Sequence, residues 1–95
     1  MLRRFVIGLS LLFLLTAINL AAVVNLAWDA NPAGDGVTVY NLYRSNTPQT
    51  GYMLLGAFST TTASDSVPDN GQIYYYVVTA VNSTAESLHS NEVSF

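Results

Sequence analysis

Ninety-five residues allow one small domain, and this chain carries three bases against six acids, one histidine and no cysteine. Without cysteine there is no disulfide framework, no thiol chemistry and no Cys-based zinc site. Without clustered Lys and Arg there is no surface for a phosphate backbone, which excludes nucleic acid as a partner.

The first 22 residues do not share the pattern of the rest. Met1-Leu2-Arg3-Arg4 is a basic start, residues 5–15 are an unbroken apolar and small run, and residues 16–22 are a small-residue flank. That is the layout of a secretory signal, with Ala21 or Ala22 before the cut and Asn19 or Leu20 imperfect two positions earlier. Residues 5–24 are also long enough, at about 20 residues, to remain as a membrane anchor. Arg3 and Arg4 would then hold the N-terminus in the cytoplasm. On either route the expectation is an exported domain, secreted, periplasmic or at the cell surface. It would touch a membrane only through residues 5–24, if they are retained. Removing the signal leaves Arg44 as the only base against all six acids, a net charge of about −5. That excludes electrostatic binding to anionic lipid. The remaining stretch of about 73 residues is small for a self-sufficient core.

Residues 23–29 alternate, with Val24, Leu26 and Trp28 in one phase, so Trp28 is expected as a core anchor. Residues 30–36 are a loop by composition. Residues 37–45 form the next strand, with Tyr40 and Leu42 on one face and Val39, Asn41 and Tyr43 on the other. A turn with Pro48 and Gly51 follows. Residues 52–58 are a short apolar strand whose phase stays open: Tyr52 with Leu54, or Met53 with Leu55. Residues 59–66 are rich in Ser and Thr and suit a polar edge strand. After the turn signal Pro68-Asp69-Asn70-Gly71, residues 73–82 are aromatic or β-branched nearly throughout. Tyr74, Tyr76, Val78 and Ala80 share one face; Tyr75, Val77, Thr79 and Val81 share the other. Both faces are apolar enough to bury, as in a central strand. Residues 83–88 are a loop, and residues 90–95 close the domain. No linker, second domain, internal repeat or amphipathic helix follows residue 22.

Little in the chain points to chemistry. His89 lies beside Ser87 and Ser90, but neighbours along a strand face opposite ways and do not share a proton. His89 is expected as a solvated residue at the loop's end. Asp29, Asp35 and Glu86 are candidates for a weak calcium site, yet the run from Asp29 fails the calcium-loop pattern at its fifth position. Solvated loop acids are the simpler reading. No catalytic residue, cofactor or metal is expected. Asn82-Ser83-Thr84 is a glycosylation sequon, relevant only in a eukaryotic secretory pathway.

Four motifs in order resemble the fibronectin type III family. Tyr74-x-Tyr76-x-Val78-x-Ala80-x-Asn82 is similar to strand F. Leu26-Ala27-Trp28-Asp29 resembles strand B, Val39 to Ser45 resembles the strand C pattern of bacterial members, and Ser90-Asn91-Glu92-Val93 resembles the start of strand G. The resemblance covers residues 23–95 and implies an all-β, immunoglobulin-like β-sandwich, here preceded by one N-terminal hydrophobic helix. It places Tyr74 at the tyrosine corner, its hydroxyl bonded to backbone in the crossover 67–72. The chain departs from the family in three ways. Ala85 stands where a glycine is usual in the F–G loop, that loop lacks Arg-Gly-Asp, and strand A is missing, which leaves the strand B edge open.

The resemblance implies a structural core of Trp28, Tyr40, Tyr74, Tyr76 and Val78. The outward phases of strands C and F then place Val39, Tyr43, Tyr75 and Val77 on one exposed face, a candidate interaction face. The expected function is a non-catalytic module for protein–protein or cell-surface interaction, with an unidentified protein or surface glycan as partner. Two alternatives stand beside it. One is a carbohydrate-binding module using Tyr43 and Tyr75. The other is a surface or virion assembly subunit that accepts a strand at its open edge.

Overall fold

The computed structural model describes residues 2–7 and 21–95. Its strands are β1 (Leu2–Ile7), β2 (Ala21–Ala27), β3 (Val39–Ser45), β4 (Met53–Phe58), β5 (Thr62–Pro68), β6 (Tyr75–Val81) and β7 (Val93–Ser94). They form two sheets, β1-β2-β5 and β4-β3-β6-β7, with every neighbouring pair antiparallel.

The N-terminal expectation needs a correction. Residues 5–7, the start of the expected hydrophobic helix, instead form with the basic residues before them a strand that pairs with β2 from Leu2 opposite Leu26 to Ile7 opposite Ala21. The strand B edge expected to be open is therefore covered by β1, in the place left for strand A. Residues 8–20, the bulk of the expected helix, lie outside the described residues. Among the described residues no helix is long and apolar enough to cross a membrane.

The core lies between the sheets and follows the alternation of the sequence. Ala22, Val24 and Leu26 of β2 and Val67 of β5 face Leu42 of β3 and Tyr74 and Tyr76 at β6, all buried. Trp28, Leu55, Phe58, Val78, Val93 and Phe95 pack around them, half-buried. Tyr40 is buried beside Trp28, the two rings meeting edge to face at 5.8 Å. The phase of β4 has a physical reason for escaping the sequence. Its register against β3 shifts between Leu42 and Tyr43, so Leu54 faces Tyr43 while Gly56 faces Leu42, and Leu55 is the extra residue of a bulge. Strict alternation is broken inside the strand. Leu55 and Phe58 reach the core, whereas Met53 and Leu54 are 65% and 56% exposed.

One polar cluster ties the two sheets together. Asp65 of β5 accepts hydrogen bonds from the Arg44 guanidinium at 2.9 Å and from the Tyr76 hydroxyl at 2.8 Å. Arg44 and Tyr76 stand opposite each other on β3 and β6, so a carboxylate from one sheet is gripped by neighbours on the other. Burial and then the Asp65 hydrogen bond push the Tyr76 phenol well above its ordinary value. Arg44 also lies over the Tyr74 ring, 5.4 Å from its centre.

The tyrosine-corner expectation is corrected here as well. Tyr74 is buried, and its backbone exchanges two hydrogen bonds with Phe95, at 3.1 and 2.9 Å. Among the described residues its hydroxyl makes no bond to the crossover 67–72, and the phenol that anchors the sandwich is Tyr76. Tyr76→Phe should therefore cost about 1.5–3 kcal/mol, the range for a hydrogen bond to a charged group. Tyr74→Phe should cost clearly less, with both read from urea unfolding midpoints. Equal losses, or the reverse order, would return the anchor to Tyr74.

Candidate functional site

The outer face of the four-stranded sheet is built from the second phases of β3 and β6. Their register sets Val39 opposite Val81, Asn41 opposite Thr79, Tyr43 opposite Val77 and Ser45 opposite Tyr75. Tyr43 and Tyr75 are thus diagonal neighbours on one face, as expected, and both are half-buried rather than largely exposed. Val39 is also half-buried. Val77 is not an exposed residue: it is 2% exposed, as is Thr79 beside it. The apolar patch anticipated there is interrupted by polar residues and partly roofed by the chain that follows β6.

That chain returns over the face by local hydrogen bonding. The Asn82 side chain accepts from the backbone N–H groups of Thr84 and Ala85, each at 2.9 Å, which closes a tight turn. Residue 86 then bridges back to Val81. Two serines continue the pairing without a regular strand. Ser87 N–H donates to the Ala80 carbonyl while its hydroxyl accepts from Ala80 N–H, both at 2.8 Å. Ser90 repeats this on Val78, at 2.8 and 3.0 Å. Each serine supplies with its side chain the acceptor that a strand would supply with its carbonyl. Leu88 and His89 between them are released from the ladder. Leu88 is 92% exposed, and the His89 ring lies against Tyr43 at 5.7 Å and Tyr52 at 5.1 Å.

Two carboxylates lock this arrangement. Glu86 accepts from the Thr79 hydroxyl at 2.6 Å, from Asn41 at 3.3 Å and from the Tyr43 hydroxyl. These donors, Thr79 foremost, hold its pKa below the usual glutamate range. The bond to Glu86 raises that of Tyr43 in turn. Glu92 accepts from the Tyr52 hydroxyl and from Gln49 N–H at 2.8 Å. Burial and the bond to Glu92 push the Tyr52 phenol up to about 12. The turn that delivers Gln49 and Tyr52 is held by the buried Ser45 hydroxyl, which accepts from Thr47 N–H at 3.0 Å. Gly51 at its end has φ +71° and its α-carbon faces Ser45 Oγ, so a side chain there meets both strain and crowding.

Asp29, Asp35 and Glu86 do not converge: among the described residues no three His, Cys, Asp or Glu form a group able to hold a metal ion. The hydroxyls of Ser87 and Ser90 accept from β6 and donate to the carbonyls of Leu88 and Asn91, so neither is poised as a nucleophile toward His89. Glu86, Tyr52, His89 and Glu92 were not anticipated as parts of this face. Apart from the bond between Glu86 and Thr79, seven residues apart, their contacts cross about 40 residues of chain and leave no local signature.

A solved structure described as a Fn3-like protein from Clostridium thermocellum is similar to this chain with 34% identity and a TM-score of 0.67. The match covers 76% of this chain and 73% of that one. The chain belongs to the fibronectin type III-like family. The twitchin kinase region from C. elegans shares the fold, with a TM-score of 0.60 at 16% identity, over 77% of this chain and 13% of that one. No family model and no curated protein matches the sequence. In fibronectin type III terms β2, β3, β6 and β7 are strands B, C, F and G. The F–G segment that folds back over C and F is what turns a plain sheet face into a built site.

Because the Glu86 pKa is lower in the folded chain than in the unfolded one, its contacts stabilise the docked F–G segment above the ordinary glutamate range. That contribution is lost as pH falls below about 4.5 toward the depressed value. Amide protection at Ala80 and Ser87 should fall over that window in the native chain. In Glu86→Gln it should be lower throughout and no longer follow pH there. Unchanged protection across the window would mean that the serine pairing alone holds the segment.

Proposed function

We propose that this protein is an exported, non-catalytic fibronectin type III-like module that docks a protein or cell-surface partner through the outer face of strands C and F. One observation carries the reading. The polar groups on that face that chemistry would require are engaged in holding it together, and what it offers outward is a cluster of rings, Tyr43, Tyr52 and His89, with Tyr75 diagonal to Tyr43 on the same face. Tyrosines give large, rigid, amphipathic contact at low conformational cost. Here the carboxylates of Glu86 and Glu92 fix two of them beforehand, which lowers the ordering cost of binding. The family's fold is typically non-catalytic, which supports the same reading. Export rests on the basic start and apolar run of residues 1–22, and cleavage after them would remove β1 and leave the outer edge of β2 uncovered.

Two experiments test this. Mass spectrometry of protein exported by an expressing cell should give a chain that begins near Ala22 or Val23. A full-length chain that resists carbonate washing of membranes would favour the retained anchor, and a full-length chain left in the cytosol would end the export reading. For the face, Tyr43→Ser with Tyr75→Ser should keep the fold and abolish capture of surface partners, while Tyr43→Phe, which keeps the ring, should retain most binding. The same pair run on a glycan array separates a protein partner from a carbohydrate one. Intact binding by the folded double variant would move the site to the loops.

A further inference from the structure

The two sheets end in four outer edges, and an edge strand offers unpaired N–H and C=O groups to any strand that fits. Proteins blunt such edges with charge, proline, shortness or inward-pointing charged residues. In the full-length chain, among the described residues, three of the four edges carry such a device. β1 includes Arg3 and Arg4. β5 alternates Ser and Thr with Asp65, whose carboxylate turns into the sandwich, and ends at Pro68. β7 is two residues long. The fourth edge, β4, reads Met53-Leu54-Leu55-Gly56-Ala57-Phe58 and has neither charge nor proline. It also holds two of the large exposed apolar side chains, Met53 and Leu54, at 65% and 56%.

We infer that the outer edge of β4 pairs, antiparallel, with β4 of a second copy of this chain. A row of backbone donors and acceptors is matched by another extended backbone, so the occupant is a strand. Charge selects the second copy. Antiparallel pairing about a two-fold axis sets β4 against itself, and any charge on it would face its own copy. This chain is acidic, with a net charge of −3, so most approaches of two copies are unfavourable. The β4 edge is where a copy meets no like charge and covers exposed Met53 and Leu54. The bulge at Leu55 twists the edge without removing its hydrogen-bonding groups. The inference concerns the strand's backbone edge; Leu54, which stands opposite Tyr43 on the outer face, enters it through self-association and not through partner binding.

The test is sedimentation equilibrium of the full chain over a wide concentration range, with Met53→Lys plus Leu54→Lys as the variant. Both positions lie outside the core cluster, so circular dichroism and the unfolding midpoint should stay close to native. The native chain should dimerise, and the variant should dimerise at least about tenfold more weakly, as like charges set opposite across an interface require. A native chain that stays monomeric overturns the inference. So does a folded variant that associates as strongly as the native chain, since association would then come from the N-terminal apolar run or another surface. A heterodimer trap gives a second readout. Leu54→Lys mixed with Leu54→Glu should associate more strongly than either alone, and no gain on mixing also overturns it.

Discussion

The fold depends on a carboxylate reaching from one sheet to the other. Asp65 sits on a polar edge strand, yet its side chain is only 14% exposed because Arg44 and Tyr76 both donate to it. Desolvating a charge is costly, and a partly buried pair is weak evidence for stability by itself. What it provides here is register. Side chains on a strand alternate with a period of two, so a slip of β5 by one residue would swing Asp65 to solvent and strand the guanidinium inside. The apolar residues of β5, Ala63 and Val67, are too few to enforce that phase strongly. In a small chain without cysteine, the one base of residues 23–95 is placed where it fixes how the sheets face each other.

This explains which parts of the sandwich were legible in the sequence. β2, β3 and β6 carry regular alternation, and the residues it places inward, Val24, Leu26, Leu42 and Tyr76, are the buried ones. Three consecutive tyrosines at 74–76 assign faces correctly but do not say which hydroxyl finds a partner. That partner, Asp65, lies on a strand recognisable only from Ser and Thr content, and no periodicity links it to Tyr76. β4 hides its phase because a bulge resets the alternation midway. At the N-terminus, residues 2–7 have the composition of an export signal. Composition does not report that their backbone can also add to the edge of β2.

The outer face was legible in its strands and not in its cover. Alternation puts Tyr43, Tyr75 and Val77 together, as the register does. Val77 and Thr79 are nevertheless buried, because the segment after β6 bends back instead of running on as a straight strand G. Ser87 and Ser90 make this possible by pairing through their hydroxyls, which lets two residues bulge from the ladder while the N–H groups of Val78 and Ala80 stay satisfied. Glu86, which reads as a solvated loop acid in the sequence, and Glu92, which reads as part of the strand G start, are the acceptors that hold Tyr43 and Tyr52. Acceptor and donor meet only through the sheet, so neither residue's neighbours reveal the pairing.

The two surfaces of this sheet bear on each other. Pairing β4 with its copy about an axis normal to the sheet continues the sheet across the dimer and leaves both outer faces on the same side. The ring clusters of Tyr43, Tyr52 and His89 would then be presented twice on one plane. A face of a few tyrosines binds weakly by itself, since area alone does not set affinity. Two such faces held rigidly together convert the second contact into an intramolecular one, with a gain set by geometry and not by new contacts. The same geometry restricts the partner. Only a surface that repeats its own site, such as a polymer or a cell envelope, gains from a doubled face, and a small monomeric protein does not.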